Sequence, residues 1–163
     1  MKTIIGVMGG GFVGDAEMEE AEKLGALIAR EGWVLLNGGR NAGIMTASAK
    51  GARSEGGITI GILPDEYTDA MSPYIDIPVV TGMGSGRNII NILSSHVVVA
   101  CRGGAGTISE IALAMKYGKP IILMNFNPGG FIGDAIDAGR IHVTGTPDET
   151  IEIIKTLLKK KDK

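Results

Sequence analysis

The chain has 163 residues, of which 44% are hydrophobic and 21% charged, a size and balance that allow one globular domain with a full core. Net charge is −2 and no patch interleaves Lys, Arg and aromatic residues, which argues against nucleic acid as a partner. No apolar run approaches a bilayer span, the stretch Met1–Met8 turns glycine-rich too soon for a secretory signal, and Cys101, the single cysteine, permits neither an intrachain disulfide nor a cysteine metal cluster. The expected location is cytoplasmic, with no membrane contact. Glycine is the outlier, with 26 residues, about twice its ordinary share of about 7%. The glycines have no period of three and sit where apolar runs end.

In chain order, Thr3–Met8 reads as a short apolar strand. It delivers Gly9-Gly10-Gly11-Phe12-Val13-Gly14, in which Gly9, Gly11 and Gly14 match GxGxxG. Asp15–Glu31 follows, with Ala21, Leu24, Ala26, Leu27 and Ile28 at helical spacing, acids in its first turns and Gly32 as its stop. Trp33–Leu36 is the second predicted strand. The Asn37-Gly38-Gly39-Arg40 after it lacks the acid that dinucleotide binding places on the ribose hydroxyls. Ala42–Glu55 is predicted helical and rich in small residues, which allows close packing within or between subunits. Ile58–Leu63 is a strand stopped by Pro64, and Asp65–Pro78 a connecting loop, either a cover over a site or an interface.

Ile77–Thr81 is the fourth predicted strand, Ser85–Leu93 a helix and Val97–Cys101 the fifth strand. Thr107–Tyr117 is a helix closed by Gly118, Pro120–Met124 a sixth strand and Ile141–Val143 a short seventh. Thr146-Pro147-Asp148-Glu149 is a helix start, with a capping threonine, proline in the first position and glutamate three after the cap. That helix reaches Lys160, and Lys159-Lys160-Lys161 beside Asp162 reads as its solvated end. Strands and helices alternate throughout, and the strands are near-continuous apolar runs. The pattern predicts one α/β domain over residues 1–163, a doubly wound, mainly parallel sheet with helices on both faces.

Such a sheet binds ligands beyond the carboxyl ends of its strands, where the glycine loops fall. The most informative is Gly103-Gly104-Ala105-Gly106-Thr107-Ile108-Ser109-Glu110, which follows a strand and opens a helix. Glycines admit a ligand close to the backbone, and a helix start offers unpaired N–H groups with a partial positive charge. A phosphorylated small molecule, with phosphate, ribose and a flat ring, is the predicted ligand. Gly9, Gly10, Gly11, Gly38, Gly39, Gly103, Gly104 and Gly106 are the candidate backbone contacts, with Met45, Arg87, Asn88, Thr107 and Glu110 as candidate side chains. Thr107-x-x-Glu110 is also a capping box. Glu110 therefore reads equally as a cap and as a site carboxylate, and on the capping reading Glu110→Gln hardly changes stability. Arg87, a cation at a helix start, opposes the helix dipole, which favours an anionic partner. Arg40 and Arg102 read as surface residues, His96 and His142 as structural, and Cys101 as a small buried hydrophobe. No metal site is predicted.

Gly103–Glu110 resembles the GGxGTxxE motif of the LOG-like Rossmann superfamily, once labelled lysine decarboxylases, and Gly38–Met45 resembles its GGxxxGxM loop. The resemblance covers nearly the whole chain and implies a Rossmann-like nucleotide- or phosphate-binding domain. LOG enzymes release free base and ribose 5-phosphate from cytokinin nucleotides. By resemblance, Gly104, Gly106 and Thr107 would hold the 5′-phosphate, Arg87 would bind the phosphate or ribose, and Glu110 would stabilise charge at the anomeric carbon or steer water to it. The chain departs from that pattern at Arg102, where LOG enzymes carry proline, and at Asn88, where they carry lysine. Both departures favour the branch of small molybdenum cofactor carrier proteins. The resemblance thus implies a carrier of a molybdopterin-type cofactor or an AMP-like nucleotide, needing no cofactor of its own. The alternative is a nucleoside 5′-monophosphate phosphoribohydrolase using Glu110 and Arg87. Decarboxylation is not expected, because no lysine has a supporting pyridoxal-phosphate constellation. Relatives of this kind imply a homo-oligomer, a dimer or a tetramer.

Overall fold

A computed structural model describes residues 1–133, 136 and 138–161. Seven strands, β1 (Ile4–Met8), β2 (Val34–Asn37), β3 (Thr59–Leu63), β4 (Ile77–Val80), β5 (Val97–Ala100), β6 (Ile121–Met124) and β7 (Ile141–Thr144), form one sheet. Its order is β4-β3-β2-β1-β5-β6-β7 and every pairing is parallel. The helices are α1 (Asp15–Arg30), α2 (Gly43–Ser54), α3 (Asn88–Ser94), α4 (Ala105–Lys116) and α5 (Pro147–Lys161), with a 3-10 turn over Gly84–Arg87 leading into α3. The doubly wound parallel sheet expected from the alternation is the fold observed. Asp162 lies outside the described residues.

Alternate residues of the central strands feed two cores. Ile5, Val7, Leu35, Val97, Val99 and Ile122 pack with α1, α2 and α5 on one face. Leu36, Val98, Ala100, Ile121 and Leu123 pack with α3 and α4 on the other. The near-continuous apolar strands thus reflect burial on both faces. At the edge, all four residues of β4 are exposed, and Pro78, which has no N–H to donate, is tolerated there.

The chain punctuation is visible in hydrogen bonds. Gly32 takes φ +73° after α1, its N–H donates to the Ala29 carbonyl, and the Trp33 N–H donates to Ile28. Gly118 ends α4 in the same way, with donation from Lys119 to Ala114. These are Schellman closures. Trp33 is spent on closing the helix, so β2 begins one residue later than the apolar pattern suggests. At α5, the Thr146 hydroxyl accepts the Glu149 N–H at 3.2 Å and the Glu149 carboxylate accepts the Gly145 N–H at 2.8 Å, the capping arrangement expected there.

The small residues of α2 are consumed inside the chain. A Cβ on Gly51 would collide with the Glu22 carbonyl of α1, and one on Gly25 with the Ser48 carbonyl of α2. The two helices approach backbone to backbone, so this face is not available to a second subunit. The Asp65–Pro78 loop is likewise pinned along part of its length. Ser72 N–H donates to the Gly39 carbonyl at 2.8 Å, Asn41 N–H to Ala70 at 2.9 Å, and the buried Ser72 hydroxyl bonds Thr46 at 2.6 Å. That stretch is fastened to the β2 loop and to α2 and is not a swinging cover. Among the described residues no helix is long and apolar enough to cross a membrane.

Candidate functional site

Strands β1 and β5 are neighbours, and the connections leaving them run to opposite sides of the sheet. This divergence opens a crevice at the switch point, the general ligand position in open α/β sheets. The two loops are tied together by a bond from the Gly10 N–H to the Arg102 carbonyl at 2.9 Å. A Cβ on Gly103 would strike the Thr107 hydroxyl and the Gly10 nitrogen, and one on Gly9 would lie 2.6 Å from Ile44. These glycines are therefore required for the loops to lie against each other and against α2.

The crevice holds a cavity of about 220 Å³. Gly9, Gly10 and Gly11 form one wall, Gly38 and Met45 another, and Gly104, Gly106 and Thr107 the start of α4. Arg87, Asn88 and Glu110 supply its remaining polar side chains. Eleven of the thirteen candidate residues thus line one space. Gly39 and Gly103 do not. Gly39, at φ +74°, shapes the β2 loop through a bond to the Asn37 side chain at 2.8 Å, and Gly103 packs on Thr107. The first backbone bond of α4 runs from the Ile108 N–H to the Gly104 carbonyl, leaving the three preceding N–H groups without helical partners. Nothing lies within 4 Å of where a Cβ would sit on Gly104 or Gly106, so a ligand can approach there.

The capping reading of Glu110 is overturned. Helix α4 starts at Ala105 with Gly104 as its cap residue and no side-chain cap bond, so Thr107 lies inside the first turn. Glu110 sits further along, 6% exposed, and accepts a bond from Asn91 Nδ2 at 2.8 Å. Burial pushes its carboxyl up to about 7, with the Asn91 bond and the Arg87 charge opposing the rise. Asn91 is fully buried and its Oδ1 has no partner.

Arg87 reaches under the β2 loop, where a Cβ on Gly38 would collide with its guanidinium. Its Nη1 donates to the Ile62 carbonyl at 2.5 Å and its Nε is buried with no partner. Desolvation lowers its pKa, partly offset by Glu110. Asn88 donates to the Ser109 hydroxyl at 2.9 Å, which joins α3 to α4. Sequence reasoning missed Asn91. Its only signal is a polar residue inside the apolar run Asn88-Ile89-Ile90-Asn91-Ile92-Leu93.

The other singled-out residues are structural. Arg102 pairs with Glu17 at 3.3 Å and Arg40 with Asp65 at 2.8 Å, both exposed. His96 Nδ1 accepts the Ile4 N–H at 3.0 Å. Cys101 is buried, which pushes its thiol up to about 12 and keeps it protonated. Among the described residues no group of three or more His, Cys, Asp or Glu could hold a metal ion.

The parallel seven-stranded sheet and the glycine-walled cleft at its switch point define a Rossmann-like α/β protein of the LOG-like and molybdenum cofactor carrier superfamily. Within it, the chain belongs to the SLOG cluster4 family, whose model matches residues 2–155. It is similar to the molybdenum cofactor binding protein of Rippkaea orientalis, at 45% identity and a TM-score of 0.89 over 97% of this chain and 98% of that one. It is equally similar to the molybdenum cofactor carrier protein of Chlamydomonas reinhardtii, at 45% identity and a TM-score of 0.88 over 97% and 99% of the two chains. A cytokinin riboside 5′-monophosphate phosphoribohydrolase of Mycobacterium tuberculosis is 33% identical over 116 residues, 66% of this chain and 62% of that protein.

Proposed function

We propose that this protein binds a phosphorylated, molybdopterin-type ligand in the switch-point cleft and carries it without cleaving it. The reading rests on the convergence of an unpaired helix start, open glycine backbone and the half-buried Arg87 in one cavity. Those donors fit a phosphate. The similarity to cofactor-carrying proteins along nearly the whole chain supports the finer identity of the ligand. A cytoplasmic location fits a chain with one buried thiol.

A phosphoribohydrolase is the second reading, favoured by the presence of Arg87 and Glu110 in the same cavity. Opposite charge at the anomeric carbon is a large catalytic contribution, but it needs an ionised carboxylate. The departures at Arg102 and Asn88 and the similarity to carrier proteins over nearly the whole chain favour the carrier.

The experiment is to incubate the protein with a molybdopterin-type ligand, AMP and N6-substituted adenosine monophosphates, following melting temperature and free base together. Ligand-dependent stabilisation without base release is expected. Arg87→Ala should weaken binding about tenfold to a hundredfold, the loss of a hydrogen bond to a charged group. Release of base and ribose 5-phosphate that Glu110→Gln abolishes would overturn the carrier reading. No stabilisation by any of these ligands would remove the site.

A homo-oligomer, dimer or tetramer, belongs to the same proposal. With the small-residue face of α2 buried against α1, support comes instead from the exposed apolar residues Ile77, Val79 and Val80 on edge strand β4. Size-exclusion chromatography with light scattering is expected to give a multiple of 16.9 kDa; a monomer mass at every concentration would remove the claim.

A further inference from the structure

An open recess adjoins the inner cavity, and Gly11 lines both. Phe12 and Met18 supply the apolar part of the recess, and Glu17 and Arg102 its charged groups. The loops after β1 and β5, which meet at the inner cavity, thus extend to the recess as well.

Phe12 stands out on this surface. It is fully exposed, at 103%, while Val13 beside it packs against the core shared with α1 and α2. The backbone on either side is fastened. The Gly10 N–H donates to the Arg102 carbonyl at 2.9 Å, the Gly10 carbonyl accepts the Ile44 N–H at 3.1 Å, and the Gly14 carbonyl accepts the Met18 N–H at 3.1 Å. A Cβ on Gly11 would lie 3.3 Å from the Ala42 Cβ, so the loop rests against the start of α2. A loop of fixed course therefore holds a phenyl ring at the edge of the cleft, open to solvent.

The charges in the recess cancel, because Arg102 pairs with Glu17 at 3.3 Å. What is left is a phenyl ring, a thioether and a neutralised ion pair, a set that suits the flat face of a ring and not a second anion. Aromatic rings stack in offset arrangements, and stacking tolerates different ring substituents because every such ring has a π face. The donors that fit a phosphate converge at the start of α4, in the adjoining cavity.

We infer that Phe12 is a ligand-contacting residue, which stacks on the flat ring of a phosphorylated ligand whose phosphate sits at the start of α4. This rests on the cleft being a phosphorylated-ligand site. Phe12 then sets the class of ligand, ring-bearing phosphates over bare sugar phosphates, without reading the substituents of the ring.

Calorimetric titration of the full chain with ribose 5-phosphate, AMP and GMP tests it. Ribose 5-phosphate reads the phosphate cradle alone. AMP and GMP are expected to bind about fivefold to a hundredfold tighter, the range of one aromatic stacking contact. Phe12→Ala should remove that advantage and leave ribose 5-phosphate binding unchanged, with the melting temperature checking that the variant is folded. Phe12→Trp should restore the advantage, and its added emission should be quenched by AMP and GMP but not by ribose 5-phosphate. Trp33, just ahead of β2 at the end of the sheet opposite the cleft, gives the reference signal in the unsubstituted protein. An unchanged ratio of AMP to ribose 5-phosphate affinity in folded Phe12→Ala would overturn the inference while leaving the cradle intact. So would equal affinity of the unsubstituted protein for the two, or an unquenched Phe12→Trp. Equal loss of all three ligands in Phe12→Ala would make Phe12 a support of the loop and not a ring contact. Failure of ribose 5-phosphate and both nucleotides to bind the unsubstituted protein would instead overturn the reading of the cleft itself.

Discussion

Glu110→Gln is expected to stabilise the protein at about pH 8 and to have little effect at about pH 5. The carboxyl is buried, and its folded-state pKa of about 7 lies above the ordinary value of 4.5. Between those values the folded chain holds a proton that the unfolded chain has released. The contribution to stability is complete below about 4.5 and is lost as pH rises through about 7. The full swing is about 3 kcal/mol, at about 1.4 kcal/mol for each pH unit of separation. Glutamine carries no charge at any pH, and its carbonyl oxygen accepts the same Asn91 Nδ2 bond.

The variant should therefore melt about 6–12 °C above the parent at the higher pH, with the difference closing as pH falls, since about 1 kcal/mol shifts a chain of this size by about 2–4 °C. Other carboxylates titrate in both proteins, so the difference between the two curves isolates Glu110. Thermal melts across that range check it. A loss of stability at both pH values would mean that Glu110 is held as the charged partner of Arg87, and the account of its burial would fall.

Gly51→Ala is expected to cost about 3 kcal/mol and to lower the melting temperature by about 6–12 °C. Helix propensity points the other way, because alanine in a helix interior is worth about 1 kcal/mol over glycine. The added Cβ would meet the Glu22 backbone carbonyl of α1, and the next neighbour is the Ala26 backbone nitrogen at 3.0 Å. Neither is a flexible side-chain end that can swing aside. The helices must separate, and overpacking outweighs propensity. Denaturant titration measures it. A variant as stable as the parent would mean that α1 and α2 slide apart without cost, which the close approach at Gly25 contradicts.

Much of this molecule is legible in order along the chain. The glycines at positions 32 and 118 end helices, Thr146 to Glu149 starts one, and apolar runs mark all seven strands. These features are local. They depend on turn geometry, on helix ends and on the two-residue period of a strand, each set by a few neighbouring residues. The GGxGTxxE and GGxxxGxM patterns are local too, because close backbone approach demands glycine at fixed spacing. Eleven candidate residues accordingly meet in one cavity.

What the chain order could not decide is where each side chain finds its partner. Glu110 reads as a cap three residues after a threonine, but α3 brings Asn91, 19 positions earlier, against it. Arg87 is fastened by the Ile62 carbonyl, 25 positions away, and Asp65 meets Arg40 across the same separation. The small residues of α2 are ambiguous between a contact inside the chain and one between chains until α1 is seen lying against them. The sequence by itself determined the elements, their alternation and the glycine-lined edge, because each is set by short-range sterics and hydrogen bonding. Only the tertiary structure decided the burial of Glu110 against Asn91, the seat of Arg87 and the pairing at Asp65, because burial and long-range pairing depend on which distant segments the packed sheet brings together.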